Sequence, residues 1–170
     1  MSIKIIGAVL IVVACGGFGF CIASAHLREE KYLRQLVMLL EYMECELQYR
    51  LTPLPDLCRQ ASGQGSSNLH RAFNYLAVEL EDQIAPDVDR CMAAALSKTG
   101  DLPQYTRNAM NLLGKSLGRF DVEGQLKGLD MVQNQCRLDL ERLCQNKDAR
   151  LKSYQTLGLC AGAAMAILLI

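Results

Sequence analysis

Apolar residues recur at helical spacing through the middle of this 170-residue chain. Over residues 27–51 they fall three or four positions apart, at Leu33, Leu36, Leu40, Met43 and Leu47. A stripe with this period is the side that an amphipathic helix turns towards a core. The acidic residues Glu41, Glu44 and Glu46 lie largely off the stripe. Because no strand-like alternation competes in residues 26–155, we predict an all-α domain.

Capping and breaking residues mark further helices after the first one. Thr52 is a predicted N-cap, with Pro53 at the first position of a short helix that continues to about Ala61. Glycines and prolines then delimit three more predicted helices, at about residues 68–83, 87–98 and 101–117.

The last predicted helix begins near Asp121 and is the longest. Its apolar positions form a coiled-coil-like seam, made of Val122, Leu126, Leu129, Val132, Cys136, Leu140 and Leu143. Packing this helix antiparallel to the first, with the shorter helices at the far end, gives the most economical bundle.

An apolar segment frames this domain at each end. Residues 5–25 hold no charged side chain and, as a helix, would span about 30 Å, the thickness of a bilayer core. Residues 156–170 are equally uncharged but only about 22 Å long. We therefore predict an N-terminal transmembrane helix at 1–26, a helical domain at 27–152 and a C-terminal transmembrane helix at 153–170.

Basic residues beside these segments predict the orientation. Three follow the first segment and three precede the second, namely Arg28, Lys31, Arg34, Lys147, Arg150 and Lys152. Because basic residues favour the cytoplasmic side, we predict a cytoplasmic helical domain in an integral membrane protein. Two alternatives stay open. In one alternative the N-terminal apolar segment is a cleaved signal peptide. In the other the C-terminal apolar segment is a core helix of a soluble domain.

The sequence offers little material for catalysis or for cofactor binding. Eight cysteines are scattered without a CxxC pair, and only His26 and His70 could complete a zinc site, so we expect free thiols, no metal and no other cofactor. His70 has no evident nucleophile as a partner, and nothing singles out Glu44 and Asp121 as an acid–base pair, so we expect no enzyme activity. A basic stripe with aromatic residues is missing, so we expect no nucleic-acid partner.

The stretch "LGKSLGRFDVEGQ" contains Gly-Lys-Ser, the end of a phosphate-binding loop. A phosphate loop needs a glycine at the position of Ala109 and a preceding strand, but the surrounding pattern is helical. We predict instead a corner between two helices. In it Gly118 ends one helix in a left-handed conformation, Asp121 caps the next, and Phe120 packs on the first turn near Gln125.

The same stretch, with its Leu-Gly-x-x-Asp-x-x-x-Gln core, resembles the signature of the stage III sporulation protein AB family. "TPLPDL" after an acidic helix is similar to a second family stretch, and the length and the two apolar ends match along the whole chain. By motif position, Thr52, Pro53, Gly118, Asp121 and Gln125 correspond to family-typical positions. We interpret these residues as fold-forming corners first and as a partner surface second.

The resemblance implies a component of a channel-like, secretion-related complex in the mother-cell membrane around the forespore. It implies a cytoplasmic domain similar to that of the platform protein of type II secretion systems. The expected partners are membrane lipid, a secretion-type cytoplasmic ATPase and other membrane proteins of the complex, and self-association is left open. No catalytic residue comes with the resemblance. A generic helical membrane adaptor or sensor without a secretion link is the alternative.

Two acidic groups are candidate partner surfaces. One is the face of the first helix with Glu41, Glu44 and Glu46, and the other is a cluster made of Glu79, Glu81, Asp82, Asp87 and Asp89. For both groups an ordinary solvated surface is the alternative interpretation.

Overall fold

Six helices make up the regular structure in the described part of the chain. The computed structural model describes the backbone of residues 2–64, 67–82, 87–117 and 121–169, and the side chains of residues 24–64, 68–82, 87–117 and 121–145. The helices are α1 (Ser2–Arg50), α2 (Leu54–Ser62), α3 (Ser67–Glu81), α4 (Val88–Lys98), α5 (Gln104–Ser116) and α6 (Val122–Leu169). Because these described residues include no strand, the all-α prediction is confirmed.

The first and last helices are by far the longest. α1 has 49 residues and α6 has 48, so each apolar end of the sequence continues as the same helix into the central region. Within the residues whose side chains are described, no helix is apolar over a length sufficient to cross a membrane. Of the two predicted transmembrane segments, residues 5–23 and the whole of 156–170 lie outside those described side chains.

The chain divides into two compact units. One consists of the outer parts of the long helices, Met1–Arg28 and Arg142–Ile170, and the other consists of Glu29–Glu141. Within the second unit the short helices pack in chain order, α2 on α3, α3 on α4 and α4 on α5. The candidate residues described below belong to this second unit.

The predicted stripe of α1 forms part of the core of that unit. Leu33, Leu36, Leu40, Met43 and Leu47 are all buried, and Leu39 joins them. The short helices and α6 contribute the rest of this core. From α2 to the end of α5, the largest fully buried side chains are Leu57, Leu69, Phe73, Leu76, Met92, Met110, Leu113 and, directly after α5, Leu117. Burying apolar surface at about 25 cal/mol per Å² supplies most of the favourable free energy of such a bundle.

The seam predicted for α6 is only partly buried. Leu129, Val132 and Cys136 are buried, whereas Val122 is exposed and Leu126, Leu140 and Leu143 are half-buried. Two polar residues, Gln133 and Asp139, are buried on the same helix. The predicted seam is therefore buried in its middle and only half-buried or exposed towards its ends.

Side-chain contacts fix α1 and α6 as antiparallel neighbours. Arg137 of α6 donates to the carboxylate of Glu41 at 2.8 Å, and Gln133 donates to that of Glu44 at 2.7 Å. Residue numbers rise along α1 as they fall along α6, which confirms the antiparallel pairing for this part of the two helices.

The corner between α1 and α2 differs from the predicted one. Pro53, not Thr52, holds the N-cap position of α2, and Thr52 makes no capping hydrogen bond. The hydroxyl of Thr52 instead donates to the carboxylate of Glu46 at 3.3 Å. The backbone before it takes a left-handed turn at Leu51, with a φ of 52°. This turn directs Thr52 back towards α1, and Pro53 then starts the new helix without a side-chain cap.

Candidate functional site

The Gly-Lys-Ser stretch lies inside the last turns of α5 and serves helix packing. Gly114 is buried where α5 meets α4, and a Cβ placed on it would lie 2.7 Å from the Cβ of Met92 and 3.0 Å from its Cγ. Real Cβ atoms do not approach that closely, so only glycine lets the two helices come together at this point. The neighbouring Lys115 is exposed.

Ser116 provides the matching contact on the other side of α5. A Cβ placed on Gly128 of α6 would lie 2.7 Å from the Cβ of Ser116. The hydroxyl of Ser116 donates to the carbonyl oxygen of Leu113 at 3.0 Å, which satisfies this buried polar group within its own helix. The glycine and the serine of the motif therefore bring α5 close to α4 and to α6 in turn.

The cap predicted for the last helix is confirmed. The Asp121 carboxylate accepts a hydrogen bond from the N–H of Gly124 at 3.0 Å, the third residue of α6. The N–H of Gln125 donates to the carbonyl oxygen of Asp121 at 2.9 Å, and Gln125 is half-buried. Gly118 and Phe120 lie outside the described residues, so their predicted roles in this corner remain predictions.

The acidic residues of α1 mostly have partners within the chain. Glu41 and Glu44 accept the hydrogen bonds from α6 described above, and Glu46 pairs with Arg50 at 3.3 Å in addition to its contact with Thr52. The Glu41–Arg137 pair is about half exposed on both sides. A partner surface on Glu41 and Glu44 therefore remains a prediction, and any partner there would meet a pair or a network rather than isolated carboxylates.

The second acidic cluster is divided between internal and exposed positions. Glu79 is buried and forms a salt bridge with Lys98 of α4, whose pKa is raised by the hydrogen bond and by the charge of that carboxylate. Glu81 pairs with Arg59 of α2, and both side chains are partly exposed. These two bridges join α3 to α4 and to α2, which is a structural use of residues that the sequence offered as a surface.

The cysteines of the central unit are free thiols, as predicted for those described. Cys58, Cys91 and Cys136 are buried, Cys144 is half-buried and Cys45 is exposed. Burial raises the pKa of Cys58 and of Cys136 to about 12, and the nearby charge of Asp139 adds to the effect at Cys136. Thiols held neutral in this way are poor nucleophiles and poor metal ligands at physiological pH.

Other chemistry-bearing residues also make structural contacts. The Nδ1–H of His70 donates to the carbonyl oxygen of Ser62, which links α3 to the end of α2. Among the described side chains, no group of three histidine, cysteine, aspartate or glutamate residues is placed to hold a metal ion.

The sequence did not reveal the role of Glu29. Its carboxylate accepts a hydrogen bond at 2.8 Å from the N–H of Tyr105, in the first turn of α5. The N-cap residue of α5 is Pro103, which makes no side-chain capping bond. Nothing in the sequence pointed to a capping residue 76 positions earlier. The packing glycines Gly114 and Gly128 were visible only as small residues on helices.

The family model described as Stage III sporulation protein AB matches residues 4–170. The chain belongs to the stage III sporulation protein AB family. The curated Stage III sporulation protein AB of Bacillus subtilis (strain 168) is 28% identical over 174 aligned residues, which cover 99% of each chain. The resemblance inferred from the corner motifs is thereby confirmed at the level of the family.

A solved structure of a family member has a similar fold. The chain titled Stage III sporulation protein AB (SpoIIIAB) matches with a TM-score of 0.60 at 18% sequence identity, over 72% of this chain and 98% of the other. At this identity the likeness concerns the fold alone.

Proposed function

We propose that this chain is a non-enzymatic, membrane-anchored platform of a secretion-like sporulation complex. Both of its uncharged ends would insert into the mother-cell membrane around the forespore, and the central unit would face the cytoplasm and dock a secretion-type ATPase. The observation that carries the proposal is the pair of apolar ends in a chain of this sporulation family, each continuous with a long helix that enters the central unit.

Length and charge support the anchoring part of the proposal. Residues 5–25 are long enough for a bilayer core, and the second segment reaches across if residues 153–155 join it or the bilayer thins locally. The outer parts of both long helices belong to one compact unit, as expected for two neighbouring spans. The basic residues that flank both segments favour a cytoplasmic central unit.

The internal contacts of the central unit support a platform rather than a catalyst. Glu41, Glu44 and Glu79 bind other helices, and His70 binds a backbone carbonyl group. Catalysis needs titratable groups that converge on a substrate position. Here these four groups join helices instead, and such a rigid helical scaffold suits the presentation of a surface to partners.

A pull-down from solubilised membranes of sporulating cells tests the platform role. The tagged full-length chain should recover a cytoplasmic ATPase and further membrane proteins, under conditions in which an unrelated tagged two-span protein recovers neither. Recovery of the chain alone, with the ATPase intact in the same extract, would contradict the docking proposal.

Labelling of the exposed native thiol of Cys45 tests which side of the membrane the central unit faces. In intact cells a membrane-impermeant maleimide should leave Cys45 unmodified, and the same reagent should modify it after permeabilisation, as read by peptide mass spectrometry. The buried Cys58 in the same chain serves as the internal control and should stay unmodified in both samples. Modification of Cys45 from outside would overturn the proposed topology.

A further inference from the structure

The contacts between α1 and α6 set the axial level of every residue on the two helices. Glu41 lies level with Arg137, and Glu44, three residues on, lies level with Gln133. Continuing this register along both helices places Met38 within about 3 Å of the level of Leu138, at a rise of 1.5 Å per residue. It places Cys45 equally close to the level of Met131. The level of Cys45 and Met131 lies two helical turns away from the level of Met38 and Leu138.

These four residues are exposed apolar side chains. Met38 is 68% exposed, Leu138 is 48% exposed and Met131 is 50% exposed, and Cys45 is exposed as well. Met38 and Cys45 are seven residues apart on α1, and Met131 and Leu138 are seven residues apart on α6, so each helix carries one exposed apolar ridge. We call them the α1 ridge (Met38 and Cys45) and the α6 ridge (Leu138 and Met131).

Charges of opposite sign lie at matching levels beside the ridges. On the outer side of α1, Arg34 lies one turn before Met38 and pairs with Glu30 of the same helix at 3.0 Å, with its own side chain 59% exposed. On α6 the exposed Glu141 lies three residues after Leu138, within about 4 Å of the level of Arg34. Glu41 and Arg137 form a second pair of opposite charges between the two apolar levels. At each of these axial positions, the exposed residue of α1 therefore matches that of α6, apolar with apolar and basic with acidic.

We propose that these surfaces join two copies of this chain, with the α1 ridge of each copy packed on the α6 ridge of the other. The proposal rests on the proposed membrane anchoring, because copies inserted in one membrane point the same way and keep equal levels side by side. A two-fold axis along the helices then makes both contacts at once, which is the usual symmetry of a homodimer. A second copy is the occupant because the two surfaces complement each other level by level, apolar to apolar and Arg34 to Glu141.

Exchanging the charges between copies gives a direct test. The full-length chain in lipid nanodiscs or mild detergent should be dimeric by light scattering. Arg34→Glu alone and Glu141→Arg alone should each weaken the dimer roughly tenfold, since two exposed ion pairs become two like-charge contacts. An equal mixture of the two variants should recover the wild-type affinity, because each heterodimer then contains only opposite-charge contacts.

The apolar part of the surface has its own pair of variants. Leu138→Glu should weaken the dimer as well, whereas Val78→Glu, on an exposed apolar residue of α3, should leave it unchanged. The helix content of each variant, measured by circular dichroism, should match the wild type, which excludes misfolding as the cause.

Three results would overturn the proposal: a monomeric wild type, single charge variants that dimerise as tightly as the wild type, or a mixture that fails to recover. If the substitutions acted only within each chain, the mixture would fail to recover the wild-type affinity, because a second chain cannot restore a contact inside the first. None of these outcomes touches the ATPase pull-down. Because a dimer would cover Cys45, its labelling after permeabilisation is read in the Leu138→Glu variant, in which the thiol stays exposed. The platform proposal therefore stands or fails separately.

Discussion

The carboxylate of Glu29 in α1 accepts a hydrogen bond from the backbone N–H of Tyr105, 2.8 Å away in the first turn of α5. A helix leaves its first N–H groups without partners within the helix, and a side chain from the N-cap residue usually binds one of them. Pro103 holds that position in α5 and cannot provide such a bond. A carboxylate from another helix replaces it, and its negative charge suits the positive end of the α5 dipole.

Replacing Glu29 with alanine should destabilise the central unit by about 1 kcal/mol, the usual cost of a lost cap. Hydrogen exchange should become faster at the amides of the first turn of α5, and thermal melting should shift downwards. Glu30→Ala is the matched control, since the neighbouring Glu30 pairs with Arg34 four residues away on the same helix. Equal exchange rates for the first turn of α5 in both variants would show that Glu29 does not cap this helix.

The second prediction concerns Asp121 at the start of α6. Asp121→Ala removes the acceptor for the N–H of Gly124 and should cost about 1 kcal/mol of unfolding free energy. Asp121→Asn keeps an acceptor at the same place and should cost much less. Urea unfolding followed by circular dichroism checks both changes, and equal loss in the two variants would contradict a capping role.

The third prediction concerns the close approach of α5 to α4. Gly114→Ala would place a Cβ within 2.7 Å of the Cβ of Met92, an atom fixed to the backbone of α4, so we expect a loss of about 1–3 kcal/mol from overpacking. Gly100→Ala is the control, because the nearest atoms to its added Cβ are 3.9 Å away on Asn68. A double-mutant cycle with Met92→Gly, which removes the Cβ and the Cγ that the added methyl group would meet, should show coupling between positions 92 and 114. Independent effects would show that the helices do not meet there as described.

The fourth prediction concerns the left-handed residue after α1. Leu51 has a φ of 52°, which costs a residue with a Cβ roughly 1 kcal/mol relative to glycine, and its side chain is largely exposed. Leu51→Gly should therefore stabilise the chain by up to about 1 kcal/mol. Gln48→Gly, inside the last turn of α1, should have the opposite sign because glycine weakens a helix interior by a similar amount. A loss of stability in Leu51→Gly would mean that the exposed leucine makes a contact worth more than the backbone strain.

The fifth prediction is a dependence of stability on pH from buried Cys58. Its pKa is raised from an ordinary value of 9.0 to about 12 by burial. The folded state thus keeps a proton that the unfolded state releases, so this contribution is complete below pH 9 and is lost as the pH rises towards 12. Between pH 8 and pH 10.5, the wild type should lose about 2 kcal/mol relative to Cys58→Ala, measured by urea unfolding under reducing conditions. Equal losses in the wild type and in Cys58→Ala over this range would contradict the prediction.

Local patterns in the sequence were sufficient to predict the helices and one cap. The period of apolar residues identified α1 and its buried stripe, and breaking residues delimited α2 and α4 within one residue of their observed ends. Asp121 was recognisable as a cap because a capping bond joins residues three apart in the chain. These features depend on neighbours along one helix, which the sequence shows directly.

Contacts between helices were not predictable in the same way. Thr52 looked like a cap but binds Glu46, because the left-handed turn at Leu51 directs it back towards α1. The internal partners of the acidic face of α1 were equally hidden, since Glu41 and Glu44 accept hydrogen bonds from α6. Each of these outcomes depends on where another element comes to lie, and the spacing of residues does not contain that information.

The sequence by itself determined that this protein is helical, that its ends are apolar and uncharged, and which family it belongs to, because these properties follow from local periodicity, composition and motif. Only the tertiary structure decided that the glycine of Gly-Lys-Ser joins α5 to α4, that its serine meets Gly128 of α6, and that Glu29 caps a distant helix. Those roles arise from the approach of backbones far apart in the chain, and that approach is set by the packing of the whole core.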